Sequence, residues 1–278
     1  MSKLCDLHIH SNFSDGTCTP AELIRLAQER DLSAIALCDH NTIAGLPDFL
    51  VAAQGSSVRA IPGIEFSTEY RNTELHILGL FIQPKDYDQI NALMAFYQQK
   101  KEESNLALSK SLNDAGYPID YEAVKARTIG TPNRAHFAAE LIEKGYLSSV
   151  REGCLTILSP KNGLYTPPPR PGAFEIIAMI KAMGAVSVLA HPFLNLKEPD
   201  LRVFLQEAAS YGLDGMETLY STFDETLTEK ARQIAAEFGL KESGGSDFHG
   251  SNKPDIAMGI GRGNLAIPLS LLTELESR

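Results

Sequence analysis

Tryptophan is absent from the 278 residues, and cysteine occurs only at Cys5, Cys18, Cys38 and Cys154, never as C-x-x-C. That spacing offers no thiolate metal knuckle and no dithiol redox motif, and so few thiols argue against a secreted disulfide scaffold. Cys5 and Cys38 fall in apolar, strand-like runs, where a small buried thiol is the plain reading. A reducing compartment, the cytoplasm, is expected. No run of 18 apolar residues occurs, and MSKLCDLHIH lacks a basic segment followed by an apolar one, so neither a membrane span nor a secretory leader is expected. Positive charge is scarce as well: 25 Lys and Arg against 35 Asp and Glu give a net charge of −10. Such a surface does not grip long duplex nucleic acid, which demands a basic face. A small anion can still bind where divalent cations reverse the local field. No G-x-G-x-x-G turn follows the first strand-like run and no G-x-S-x-G elbow is present, which weakens a dinucleotide fold and removes one class of serine hydrolase.

Present instead is a recurring short apolar run that carries or ends in a polar, metal-capable residue. The runs are LCDLHIH (4–10), SAIALCDH (33–40), VRAIPGIE (58–65), LHILGLFI (75–82), AVSVLAH (185–191), LDGMETL (213–219) and LKESGGSDFH (240–249). Helical patterns lie between most of them, at Pro20–Arg30, Leu46–Gln54, 174–183, 201–211 and 225–238. Strands alternating with amphipathic helices predict a parallel sheet with crossover helices. Seven such strands predict an α/β fold closed, or nearly closed, into a barrel. Between about 90 and 170 the alternation breaks into helical segments, then an irregular stretch ending in TPPPRPG. The expected organisation is therefore a first barrel segment at 1–90, a helical insertion acting as a substrate cap at 91–171, and a second barrel segment at 172–278.

His8 and His10 are two apart at the end of the first run, so in a strand both imidazoles share a face. Leu7 and Ile9 would then face the helices. Asp247 and His249 repeat that spacing at the last run. His40, Glu65, His76 and His191 each sit in or at the end of a different predicted strand. A lone strand histidine is more often a core residue; the repetition carries the inference, because α/β barrels build their chemistry at the C-terminal strand ends. With Asp15 the candidates number nine, all nitrogen or oxygen donors. A single catalytic zinc uses about three protein ligands plus water, so nine donors suit two or three divalent ions, and the donor types do not choose among zinc, manganese and iron. Asp6 and Asp39 are either supporting carboxylates for the histidine rings or solvated strand-end acids. Glu217 either lines the pocket or hydrogen-bonds structurally. In GTPNRAHFAAELIEKG a helix starts near Thr131–Asn133, and its N-terminus is an anion site with Arg134 and His136 in the first turn. Lys161, Arg170, Lys253 and Arg262 are weaker basic candidates. Tyr220 and Phe223 are aromatic candidates for stacking a base, with core packing the plainer reading.

In order along the chain, DLHIHSNFSDGTCTPAELI (6–24), ALCDHNTIAG (36–45), IPGIEFS (61–67), LHILGL (75–80), LAHP (189–192) and GSDFHG (245–250) resemble the polymerase and histidinol phosphatase (PHP) family of metal-dependent phosphoesterases. The resemblance implies a distorted (β/α)7 TIM-like barrel. It also implies a trinuclear site, with manganese as the first expectation and zinc or iron(II) as the others. His8, His10, Glu65 and Asp247 would hold one ion. Glu65 would bridge to a second held by His76 and His191, and Asp15, His40 and His249 would hold the third. The insertion and the start HSNFSDGT look most like the subgroup acting on nucleotides, which releases the 3′-phosphate of nucleoside 3′,5′-bisphosphates or trims short RNA from the 5′ end. The expected reaction is hydrolysis by a metal-bridging hydroxide, with Asp247 and His191 at the reacting centre and Arg134 and His136 on a second phosphate. The alternatives are a histidinol-phosphate-type phosphatase, a non-catalytic metal-binding or polymerase-contacting module, and an amidohydrolase acting on C–N bonds.

Overall fold

The computed structural model describes residues 3–127 and 131–277. The strands are β1 (Leu4–Ile9), β2 (Leu32–Leu37), β3 (Arg59–Tyr70), β4 (Thr73–Leu80), β5 (Val186–Leu189), β6 (Gly215–Tyr220), β7 (Lys241–Gly245) and β8 (Ile267–Pro268). The helices are α1 (Pro20–Glu29), α2 (Leu46–Ala52), α3 (Tyr87–Asp114), α4 (Tyr121–Lys125), α5 (Arg134–Glu143), α6 (Val150–Leu155), α7 (Ala173–Met183), α8 (Pro192–Asn195), α9 (Glu198–Tyr211), α10 (Glu225–Glu237) and α11 (Leu269–Glu276). Local chemistry sets several boundaries. Thr19 and Glu22 form a reciprocal capping box at the start of α1, with Pro20 just inside it. Central strands such as LSAIAL are almost wholly buried and so read as continuous apolar runs.

The eight strands form one sheet in the order β7-β6-β5-β4-β3-β2-β1-β8. The sheet nearly closes, because Ile9 bridges Phe248 and Asp247 N–H donates to His8 O at 2.8 Å. The expected barrel is there, with one correction: β4 is antiparallel to both β3 and β5. The connection is too short for anything else. Only Arg71 and Asn72 separate β3 from β4, both in the left-handed region with φ 49° and 63°, which makes a tight hairpin. A parallel return needs a dozen or more residues. The reversal has a consequence for the site. His76 lies in the first half of its strand, opposite Ser67, and still meets the rim where the parallel strands end. The eighth strand, a two-residue pairing with β1, is too short to register as an apolar run.

One hydrophobic cluster joins residues of β1 through β6 and β8, among them Cys5, Leu7, Ala36, Ile61, Leu78, Val188 and Leu219, to Leu271, Leu272 and Leu275 of α11. It forms the apolar floor of the barrel. Leu7 belongs to this floor and does not face the crossover helices as alternation predicts. The pairing of β1 is irregular between Asp6 and Ile9, where three steps match two on β2. Such a bulge turns consecutive residues to one side, so Leu7 packs below while His8 and His10 reach the polar rim. Closure also requires Gly245: a Cβ there would lie 2.1 Å from His8 Cβ and 2.8 Å from His8 N.

Residues 92–170 form a second compact unit, distinct from 1–91 with 171–278. Its own core gathers Leu112, Val124, Phe137, Leu141 and Leu158. Helix α6, capped by Ser149, lies in the stretch expected to be irregular; six residues are too few to display a helical period. Among the described residues no helix is long and apolar enough to cross a membrane.

Candidate metal centre

The nine sequence candidates converge at one rim from β1, β3 and β4 and from the connections after β1, β2, β5 and β7. Glu65, fully buried on β3, is the hub. Its Oε2 lies 3.2 Å from His8 Nε2, 3.3 Å from His10 Nε2 and 3.0 Å from His40 Nδ1. Its Oε1 lies 2.7 Å from His76 Nδ1 and 3.1 Å from His191 Nε2. Asp247 Oδ1 is a second focus, 3.2 Å from His10 Nε2, 3.7 Å from His8 Nε2 and 3.4 Å from His249 Nδ1. Asp15, on the loop after β1, is the most exposed of the set. Its carboxylate lies 3.2 Å from His249 Nε2 and 3.9 Å from both His40 Nε2 and His10 Nδ1. Three groups offer donor atoms within 4.8 Å of one another: His10, Asp15, His40 and His249; His8, His10 and Glu65; and His40, Glu65 and His76. His10 and His40 each belong to two groups, so the donors form a continuous array and not three separate sets.

The donors fit divalent cations. Among the described residues, the buried side-chain atoms without a hydrogen-bond partner include His10 Nδ1, His40 Nδ1 and Glu65 Oε2. Glu65 Oε2 and His40 Nδ1 lie 3.0 Å apart without the alignment of a hydrogen bond, as ligands of a shared ion do and bonded partners do not. His8 Nε2 and His10 Nε2 lie 3.1 Å apart, two ring nitrogens aimed at one point. Electrostatics agrees. Burial pushes the Glu65 carboxyl up, but the imidazoles of His40, His8 and His76 outweigh it and hold the group well below the usual carboxylate range. Burial pulls His10 down, but Asp247 and Glu65 reverse this and raise it to about 9. His76 likewise climbs against burial to about 10 under the influence of Glu65. Burial dominates at His40, which falls to about 3. Carboxylates this crowded call for positive charge, and a cation supplies it while displacing protons from the rings.

Contacts remote in sequence hold the donors in place. Glu217, fully buried on β6, puts Oε1 2.9 Å from His8 Nδ1 and accepts the His191 N–H with Oε2 at 2.6 Å. That fixes a proton on His8 Nδ1 and turns the Nε2 lone pair toward the centre. Tyr220 OH and Lys253 Nζ both donate to Asp247 Oδ2, each at 2.7 Å. These contacts place both side chains on the cavity that the centre opens into. Phe223 is buried against Tyr220, and Arg262 is paired with Asp255. Asp39 and Asp6 touch no histidine ring. Asp39 accepts from Ser11 N, Ser11 Oγ and Ser14 Oγ, and so fastens the loop that carries Asp15. Asp6 accepts from Ser246 N, Ser246 Oγ and Gly259 N, and so fastens the loop that carries Asp247. His191 (φ 27°) and Asp247 (φ 56°) both adopt left-handed backbone, a cost of about 1–3 kcal/mol each.

The centre opens into a cavity of about 180 Å³ lined by His40, His76, His191, Leu194, Asn195, Tyr220, Asp247 and Lys253. Arg134 and His136 lie on α5 of the second unit. The Arg134 guanidinium sits 5.3 Å from the Tyr165 ring centre. His136 Nδ1 accepts the Asn133 N–H at 3.0 Å and closes the helix cap.

The model of the PHP domain family matches residues 6–155. A 5′-3′ exoribonuclease of Haemophilus influenzae is 31% identical over 250 residues, 90% of this chain and 91% of that protein. A 3′,5′-nucleoside bisphosphate phosphatase of Chromobacterium violaceum is 27% identical over 277 residues, 98% of this chain and 96% of that protein. A solved structure from Bifidobacterium adolescentis, assigned as a metal-dependent phosphoesterase, superposes with a TM-score of 0.77 at 26% identity, covering 99% of this chain and 96% of that one.

Proposed function

The chain belongs to the PHP family and is a metal-dependent phosphoesterase, and we propose that it cleaves phosphate esters of nucleotides. The substrates we assign are nucleoside 3′,5′-bisphosphates, losing the 3′-phosphate, and short RNA trimmed from the 5′ end. The observation that carries this is the division of one buried carboxylate, Glu65, among five imidazoles at 2.7–3.3 Å, beside an open cavity. The relatives' activities on nucleotides and RNA support the substrate class.

We assign two or three divalent cations, manganese first, to His8, His10, Asp15, His40, Glu65, His76, His191, Asp247 and His249. When bound, such ions supply Lewis-acid polarisation of a phosphoryl oxygen and a nucleophile from water at neutral pH. The chain's own contribution is placement. Glu217 sets the His8 tautomer and anchors the backbone of His191. Tyr220 and Lys253 hold the outer oxygen of Asp247, leaving Oδ1 toward the histidines. In the second unit Arg134 and His136 are the proposed phosphate-binding pair, His136 through Nε2 because Nδ1 is spent on the cap. We place the protein in the cytoplasm, in keeping with four unpaired cysteines.

The test is phosphate release and product analysis on a manganese-loaded panel: a nucleoside 3′,5′-bisphosphate, a 5′-monophosphate, a short 5′-phosphorylated RNA and histidinol phosphate. The bisphosphate or the RNA should react, with the 5′-monophosphate a poorer substrate. Turnover of histidinol phosphate alone would overturn the nucleotide reading.

A further inference from the structure

Among the described residues lining the cavity, Lys253 is the only lysine or arginine. Its ammonium lies 2.7 Å from Asp247 Oδ2, while Oδ1 of the same carboxylate faces His8 and His10. Tyr220 OH donates to that same Oδ2, also at 2.7 Å. Two donors thus share one oxygen, and one can leave without stranding it. They are not equally free to leave. Tyr220 is buried, packed between His191 and Phe223. The Lys253 side chain is 36% exposed and ends a flexible four-carbon stem, while its backbone is tied by an N–H to Gly250 O.

We propose that Lys253 is the phosphoryl-binding side chain of this pocket. Its ammonium passes from Asp247 Oδ2 to a non-bridging oxygen of the scissile phosphate, and Tyr220 alone then retains the carboxylate. The assignment rests on the phosphoesterase reading above. No proton is transferred and no bond to the chain forms; a charge-assisted hydrogen bond moves from one anion to another. The need for it is electrostatic. Asp15, Glu65, Glu217 and Asp247 crowd the centre with carboxylates, and beside the cations proposed for them Lys253 adds a positive side chain that an incoming phosphate dianion can reach. The competing role is a strut, with Lys253 acting only to orient Asp247.

Lys253→Met and Lys253→Arg separate the two roles when metal content, inhibition by inorganic phosphate and steady-state kinetics are measured on manganese-loaded protein. For a phosphoryl-binding lysine, the methionine variant keeps wild-type metal content. Its inhibition constant for phosphate rises about 10- to 100-fold, kcat/KM falls at least as far, and arginine restores most of both. If metal content falls together with activity while phosphate inhibits each loaded centre as before, Lys253 is a strut and the proposal fails. Should the wild-type protein hydrolyse no phosphate ester, it is the functional reading that fails. Calorimetric titration of inorganic phosphate into loaded wild-type and methionine proteins then still decides the role of Lys253: equal affinities refute it.

Discussion

Glu217 offers the sharpest test of how the centre is held. Its two oxygens accept from two donors fixed by separate strands, His8 Nδ1–H at 2.9 Å and the His191 N–H at 2.6 Å. Glutamine in its place keeps the volume but has one acceptor and one donor group. The His191 N–H is backbone and cannot change, so the amide oxygen must turn to it. The amide NH2 then faces His8 Nδ1, and the His8 proton must move to Nε2, the atom 3.2 Å from Glu65 that the centre needs as a lone pair. Glu217→Gln should therefore cost about 1–3 kcal/mol of stability, the scale of exchanging two charge-assisted bonds for neutral ones. It should weaken metal binding about 10- to 100-fold, as loss of a ligand-orienting partner does. Glu217→Ala strands both donors and should cost about twice as much stability. Manganese titration by calorimetry, alongside urea unfolding of the metal-free proteins, reads both quantities. A glutamine variant with wild-type manganese affinity would refute the reasoning, because His8 would then not depend on Glu217 for its tautomer.

The other expectations are briefer. Asp6→Ala removes the acceptor for Ser246 N and Gly259 N, leaving two buried N–H groups unpaired. A loss of about 2–6 kcal/mol follows from urea unfolding, and a change below about 1 kcal/mol would contradict it. His191→Ala should abolish turnover while unfolding stays cooperative; an active variant removes His191 from the ligand set. Arg134→Ala should raise KM with kcat little changed, the signature of lost uniform binding, and an unchanged KM would end its assignment.

Particular residues explain what could be read from the chain and what could not. The pair His8 and His10 was legible because a spacing of two fixes a common face whatever the rest of the strand does. The barrel was legible because seven buried runs must pair with one another. The bulge in β1 was not: it moves Leu7 and His8 to one side through a pairing with β2, and pairing is invisible in one strand's alternation. The reversal of β4 left a local trace, the two residues Arg71 and Asn72, which alternation of strands and helices overrode. Glu217 and Lys253 were among the candidates, but their partners were illegible for opposite reasons. Glu217 meets His8 across 209 positions, so no local motif contains the contact. Lys253 is only six positions from Asp247, but nothing in a loop sequence says which way its side chain returns. Asp6 and Asp39 sit beside histidines in sequence and so looked like ring partners, yet both turn to serine hydroxyls and backbone N–H groups of the loops.

The strained backbone explains why these carboxylates are buried where they are. His191 and Asp247 occupy left-handed backbone that neither side chain favours, at about 1–3 kcal/mol apiece. Each is held by a bond to a group that also fixes His8. The His191 N–H is taken by Glu217, whose other oxygen orients His8. The Asp247 N–H is taken by His8 O, and the same loop is fastened by Asp6 through Ser246. The conformation after β5, the ring on β1 and the conformation after β7 are therefore not independent features. They are braced through two buried carboxylates, Glu217 on β6 and Asp6 on β1, and through the backbone of β1 itself. Neither carboxylate needs to touch a cation to govern where the donors stand.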